Sequence, residues 1–316
     1  MKKYDVLVIG ELNVDLILNK IQGFPETGKE IIAEEMQLTL GSSSAIFASN
    51  LSVIGADVAF LGLVGNDDFG NLILNALSQK KVSTEFIIRH SRYKTGATIA
   101  LNYGEDRAMV TFPGAMEHLN PRDITRLILE KCGHLHVSSV FLQPGIRNYL
   151  PQIFKLAKEA GLTTSLDTQW DPAERWDLDL KKILPFVDIF FPNQHELLAL
   201  TKTCNVHSAL ETLKENANSI AVKMGSEGSL GYRKGNKCLV ESFHNIQLVD
   251  AIGAGDSFNA GFIKKFLQEA TLEECLRFGN LMGAINTTAP GGTTAFSDPE
   301  QVKKTAMENF NVQIDN

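Results

Sequence analysis

The stretch Asp250-Ala251-Ile252-Gly253-Ala254-Gly255-Asp256 constrains this chain more than any other. Upstream, Phe243 to Val249 reads as a short extended run. Downstream, Ser257 to Ala270 carries Phe258, Phe262 and Phe266, with Ile263 and Leu267, at helical spacing. The order is strand, glycine turn, helix. Glycines on either side of Ala254 allow a tight turn, so several N–H groups at the helix start can point at one anion while the helix dipole adds partial positive charge. Such a turn is a socket for phosphate. Asp256 stands beside it, where a carboxylate either caps the helix or accepts the proton of a hydroxyl that attacks a bound phosphoryl group.

The 316 residues suffice for one large α/β domain with a small appendage or for two modest domains. No internal repeat, low-complexity segment or composition break marks a second independent unit. A net charge of −7 argues against a general binder of nucleic acid or of anionic membranes; a local phosphate pocket is not disfavoured by it. Cys132, Cys204, Cys238 and Cys275 are far apart with no CxxC pair, so neither a zinc site nor a disulfide framework is implied. The N-terminus runs straight into a strand, and no apolar run approaches membrane-spanning length. A cytoplasmic location is expected.

Tyr4 to Ile9 is nearly all apolar and ends at Gly10, as in a strand buried on both faces. Glu11 to Leu18 then alternates, so Asn13 and Asp15 share a face; a half-buried strand and a strand offering polar groups to a ligand read alike. Gly23 to Glu30 nearly spells the phosphate-binding GxxxxGK[ST] loop. It fails because Glu30 replaces the hydroxyl and an extended segment to Leu40 stands where a helix is needed. A loop between strands is expected instead. Gly41-Ser42-Ser43-Ser44 opens a helix ending at Gly55. Val58 to Val64 reads as a strand, and Gly65 to Gly70 caps the next helix. Tyr93 to Asn102 and Arg107 to Phe112 read as strands around a turn at Gly104, Glu105 and Asp106.

From Pro121 the rhythm is regular: helix Asp123 to Lys131, strand His134 to Ser138, helix Ile146 to Ala160, strand Thr163 to Asp167, strand Val187 to Phe191. This predicts an α/β fold with a doubly wound, mostly parallel sheet flanked by helices. His134 and His136 share a strand face with no third metal ligand apparent, so satisfied core histidines are expected. Asp167 to Pro172 follows a strand's C-terminal end, where ligands bind in such sheets. Asn193 and Glu196 fit a capping box, and His195 is expected to face solvent. Ile220 to Met224 leads into Gly225 and Gly228, and Leu272 to Thr288 reads as a helix.

The run DxxGxGD, about sixty residues before the C-terminus, resembles the C-terminal signature of the PfkB (ribokinase-like) family of carbohydrate and nucleoside kinases. Five ordered motifs, the VGNDDFG run among them, extend the resemblance over nearly the whole chain. It implies a ribokinase-like fold in one domain, 1–316, with strands inserted at about 11–40 and 93–113 forming a small β-sheet lid over a sugar. By that resemblance Asp256 is the catalytic base and the amides of Gly253, Ala254 and Gly255 form the anion hole; Ala251 stands where the family usually has Thr. Asn13 and Asp15 would touch sugar hydroxyls, with Thr98 reaching in from the lid. In the family's Gly-Gly-x-x-x-Asn signature, Gly41 matches, Ser42 replaces the second Gly and Ile46 replaces the Asn, which changes the sugar hydroxyls that can be paired.

Many members carry Asp-x-Asn-x-Arg where this chain has Asp167-Thr168-Gln169-Trp170-Asp171. That Arg helps hold the carboxylate of acidic sugars such as 2-keto-3-deoxygluconate. Asp171 would repel one, so a neutral sugar beside Gln169 is expected. Asn193 and Glu196 match the NxxE motif that orders magnesium through water. Lys223, Gly225 and Gly228 match the turn beside the nucleotide, and the small residues around Asn280 and Gly283 suit either adenine or close helix packing. Asp250, Ile252 and Gly291 match residues that flank a monovalent cation, potassium.

The resemblance therefore implies an ATP-dependent, magnesium-using kinase of a small neutral sugar (ribose-, fructose- or polyol-like); the open edge of a lid sheet offers a surface for a homodimer. The alternatives are a nucleoside or acidic-sugar kinase of the same family, or a catalytically silent sugar-binding sensor; intact Asp256, Asn193 and Glu196 weigh against the sensor. A dinucleotide oxidoreductase is disfavoured, because Gly10-Glu11-Leu12-Asn13 is not GxGxxG.

Overall fold

A computed structural model describes residues 2–103, 106–245 and 248–314. Among them the strands are, in chain order, β1 (Tyr4–Ile9), β2 (Asn13–Ile21), β3 (Ala33–Leu40), β4 (Val58–Leu61), β5 (Leu63–Gly65), β6 (Ile88–His90) and β7 (Gly96–Tyr103). There follow β8 (Asp106–Phe112), β9 (Cys132–Ser138), β10 (Thr163–Asp167), β11 (Ile189–Phe190), β12 (Ser219–Lys223), β13 (Ser229–Arg233) and β14 (Asn236–Val240). The larger sheet has the order β14-β13-β12-β11-β10-β9-β1-β4. It is parallel from β4 to β12 and antiparallel beyond.

β1 shows why its residues had to be apolar. Val6 and Val8 enter one core with Phe47, Phe60, Phe258 and Phe262, while Leu7 and Ile9 enter another with Leu135, Val137 and Leu166. Helices cover both faces, which leaves no wet side. Full burial of each such side chain contributes about 1.5–3 kcal/mol. Phe262 packs edge-on to Phe191 with ring centroids 5.0 Å apart, and its truncation to Ala would cost about 3–5 kcal/mol. The chain leaves β1 for β4, then returns to β9 on the other side of β1. At such a reversal the strand ends open a crevice suited to ligands.

β3, β2, β7 and β8 make a separate four-stranded sheet in that order. Register places Asp15 opposite Thr39 and Thr98, and Thr98 opposite Thr111, so one face is polar. Residues one step along each strand point the other way: Leu16, Leu18, Leu38, Ile99 and Phe112 form an apolar face. Ile99 and Phe112 are exposed.

Several expected boundaries moved. Asp123 to Lys131 is a 3-10 turn, Pro121–Asp123, followed by a short helix Arg126–Leu129, because Asn120 and Asp123 close a capping box on each other and Thr125 starts a new cap. Ile146 to Ala160 is two helices, Pro144–Arg147 and Leu150–Glu159; Pro151, lacking an N–H, is tolerated only in the first turn of the second. The run from Val58 breaks at Gly62, whose Cβ would lie 2.9 Å from the Gly10 carbonyl oxygen. β4 therefore stays in the large sheet while β5 pairs with β6. No strand forms among the described residues of Phe243 to Val249. Residues 246 and 247, and the expected turn residues Gly104 and Glu105, lie outside the described residues.

Candidate active site

The ends of β10, β11 and β12 meet the start of the helix Ala254–Leu267. That helix begins at Gly253, which has φ 76°, a left-handed conformation that a side chain would strain. The Ala254 N–H donates to the Ala251 carbonyl at 3.2 Å, so that member of the expected anion hole is engaged by its own turn. The N–H groups of Gly253, Gly255 and Asp256 find no acceptor among the described residues.

Asp256 lies in the first helical turn and is 6% exposed. It makes no capping bond; among the described residues its partner is Gln169, whose Nε2 donates to Oδ1 at 2.8 Å. Burial and the Asp167 carboxylate push its proton affinity well above the ordinary carboxylate range, against the pull of the Lys223 ammonium. Asp167, fully buried at the end of β10, accepts from Lys223 Nζ at 2.8 Å, from Gln169 Nε2 at 3.0 Å and from the Asn259 amide. Burial lowers the proton affinity of Lys223, but Asp167 and Glu196 together carry it above its usual value, so the ammonium stays charged. It borders the turn, 3.7 Å from where a Gly255 Cβ would stand.

Asn193 and Glu196 form the capping box that their spacing allowed: Asn193 Oδ1 accepts from the Glu196 N–H and Glu196 Oε2 from the Asn193 N–H, both at 2.8 Å. Glu196 is nevertheless pushed up to about 7 by burial and by Asp167. A cavity of about 450 Å³ lies in front of the turn, lined by Lys223, Gly225, Gly228, Gly255, Asn280 and Gly283 among others. Asn280 is pinned there by donating to the carbonyls of Val240 and Glu241, each at 3.0 Å.

On the small sheet, Asn13 Nδ2 donates to Asp15 Oδ1 at 2.9 Å and to Thr98 Oγ1 at 3.0 Å. A Cβ on Gly41 would fall 2.3 Å from Asp15 Oδ1, so glycine is what lets these groups gather. Ser42 is turned away from them: its Oγ donates to the Glu11 carbonyl at 2.6 Å and accepts from the Ala45 N–H. Ile46 packs on the anion turn, touching the space above Gly253 and Gly292. Asp250 accepts from the Ile252 and Gly291 N–H groups at 2.9 and 2.8 Å, which ties the three expected cation-site residues together.

One inference from sequence does not survive. Asp171 accepts from the N–H groups of Ala173, Arg175 and Trp176 at 2.8–2.9 Å and is buried. Its charge holds a turn and does not face a substrate, so it gives no reason to exclude an acidic sugar. His134 and His136 are buried core residues joined through Ser165, and His195 is exposed and stacked on Trp170. Asp167 was expected only as part of a strand-end stretch, without the role its three partners give it, and Asn259 and Glu11, whose side chains reach Asp167 and the electrostatics of Asp256, were not expected in the site. Asp167 had a signal, a carboxylate ending a strand of a parallel sheet; the other two are recognisable only once the helices are packed.

The model of the pfkB family of carbohydrate kinases matches residues 3–299. The chain belongs to that family. It is accordingly a sugar kinase, an ATP-dependent phosphotransferase. It is 32% identical over 234 residues to an uncharacterized sugar kinase of Archaeoglobus fulgidus, covering 74% of this chain and 92% of that one. It is 26% identical to a ribokinase of Haemophilus influenzae, over 91% and 94% of the two chains. The fold is shared, at a TM-score of 0.83 and 24% identity, with the Arabidopsis thaliana ribokinase solved with ribose and ATP, covering 95% of this chain and 98% of that one.

Proposed function

We propose that this pfkB-family kinase transfers the γ-phosphoryl group of ATP to a hydroxyl of a small neutral sugar, with Asp256 as the base. The observation that carries this is the buried Asp256 carboxylate, set in the first turn of a helix where the Gly253, Gly255 and Asp256 N–H groups have no acceptor among the described residues and where Gly255 borders a cavity of about 450 Å³. Asp256 takes the hydroxyl proton as the oxygen attacks; the Gly253, Gly255 and Asp256 N–H groups and Lys223 meet the negative charge on the transferring phosphoryl group. Gly225, Gly228, Asn280 and Gly283 shape the nucleotide's cavity. Asn13, Asp15 and Thr98 hold the sugar, with Gly41 giving room and Ser42 and Ile46 shaping the pocket behind. That set carries one negative charge and no positive one, which suits hydroxyls better than a carboxylate.

Glu196, with Asn193, is the side chain that would face magnesium through water. A buried carboxylate pushed up to about 7 is one that a divalent cation can occupy in the proton's place. Magnesium would neutralise charge on the phosphate oxygens. The Asp250 carboxylate with the carbonyls around Ile252 and Gly291 offers hard oxygen donors of the kind potassium takes. The chain reads as one domain whose small sheet closes over the sugar as a lid, and the apolar outer face of that sheet fits pairing with a second copy. Free cysteines suit the cytoplasm.

A nucleoside acceptor is the second reading, favoured by a cleft of about 1210 Å³ running beyond Ile17 and Asn19 to Ile252 and Gly291. A coupled ADP-release assay over sugars, polyols, sugar acids and nucleosides with Mg-ATP tests both. Turnover of a pentose, hexose or polyol is expected; turnover of sugar acids or nucleosides alone would overturn the neutral-sugar reading, and turnover of none would favour a silent binder.

A further inference from the structure

Gln169 was expected among the sugar's ligands, yet its side-chain amide already uses both hydrogens. Nε2 lies 3.0 Å from Asp167 Oδ2 and 2.8 Å from Asp256 Oδ1. A primary amide has two N–H donors, so no donor remains for a sugar hydroxyl and Oε1 is left only as an acceptor. We propose that Gln169 is a positioning residue, which aims the Asp256 carboxylate by tying it to Asp167. The proposal rests on the sugar-kinase reading of Asp256.

The far end of this tie is rigid. Asp167 is fully buried and is held by the Lys223 ammonium, by the Asn259 amide and, at Oδ1, by the Gln169 N–H at 3.3 Å. Gln169 itself has φ 58°, an unusual backbone for a residue with a side chain, and such conformations persist where the surroundings hold them and cluster at working sites. Two carboxylates repel one another; an NH₂ group between them, donating to both, lets them sit on either side of one nitrogen. Length also matters. Asparagine is one C–C bond shorter, about 1.5 Å, and cannot span the same two oxygens. The charged groups that face Asp256 are Asp167 and Glu11, which favour its protonated form, and Lys223, which with the Gln169 amide favours the anion.

The test is steady-state kinetics of wild type, Gln169→Asn and Gln169→Glu across pH, with saturating Mg-ATP and a thermal melt of each protein. Misplacing a reacting group by about 1 Å can cost about 100-fold, so kcat is expected to fall by about 10- to 100-fold with the sugar KM changed by less than about twofold. The acid limb of kcat should move to higher pH in Gln169→Asn, because the lost donor had stabilised the anion. A raised KM with kcat and acid limb unchanged would make Gln169 a sugar ligand and overturn the proposal. So would a lowered melting temperature with the acid limb unmoved, the mark of a purely structural role. Wild-type turnover, measured first, separates the two claims: its absence sinks the sugar-kinase reading, and its presence leaves the variants to judge the tie.

Discussion

Lys223→Met removes the buried ammonium and keeps most of the side chain's shape. Asp167 is fully buried, the Lys223 side chain is 12% exposed, and the Met side chain fills most of the same space, so little room is left for water to replace the lost partner at 2.8 Å. The carboxylate would keep only the Gln169 and Asn259 donors. Removing one member of a buried pair costs about 3–5 kcal/mol. With an unfolding entropy of about 2.1 cal/mol/K per residue, 316 residues give about 0.66 kcal/mol/K, so Tm should fall by about 5–8 °C. Lys223→Met with Asp167→Asn removes the orphaned charge and should recover most of that loss. Calorimetric melts of the wild type, both single variants and the double variant complete the cycle. An unchanged Tm in Lys223→Met, or a double variant no more stable than it, would refute the claim that this pair holds the strand ends together.

Three further outcomes follow from the same structure. His134 is held down to about 3 by burial and must take up a proton on unfolding below its ordinary 6.5, so its own contribution to stability falls as pH drops from 6.5 toward 3, while the raised Glu196 and Asp256 carboxyls act in the opposite direction. The His134 share is about 2 kcal/mol between pH 7 and pH 5; it is read as the difference between wild type and His134→Gln in urea titrations at both, and an equal pH dependence of the two proteins would contradict it. Asp171→Ala strips three backbone N–H groups of their acceptor and should cost about 1–3 kcal/mol with no change in preference between neutral and acidic sugars; new turnover of a sugar acid would contradict its purely structural role. Gly292→Ala would place a Cβ 2.3 Å from Ile46 Cδ1, an overpacking expected to cost about 1–3 kcal/mol, and the chain carrying both Gly292→Ala and Ile46→Ala should lose less stability than the two single variants summed.

Burial on both faces forces a continuous apolar run in β1, which could be read directly; β9 and β10, which carry His134, His136 and Thr163 to Ser165, were legible from the alternation of strand and helix after Pro121. The polar–apolar alternation of β2 likewise gave the two-faced small sheet. Where a single residue decides the ending, the pattern misled. Gly62, Pro151 and the Asn120–Asp123 box each broke an element that periodicity ran through. In the site, the turn and its aspartate were legible from local chemistry. The partnerships of Asp167, which join β10, β12 and the helix Ala254–Leu267, were not, because they are long-range consequences of packing. Asp171 was misjudged for a related reason: residue type gives a charge, while only the backbone shows which groups consume it.

The proposed transfer depends on Asp256 as the proton acceptor. Asp256→Asn replaces the carboxylate by an isosteric amide, and single-turnover phosphoryl transfer, with sugar and nucleotide affinities measured by calorimetry, reads the consequence directly. Phosphoryl transfer is expected to slow by about 10²- to 10⁴-fold while both affinities stay within about threefold. A variant that transfers phosphate at a rate near that of the wild type would contradict the account.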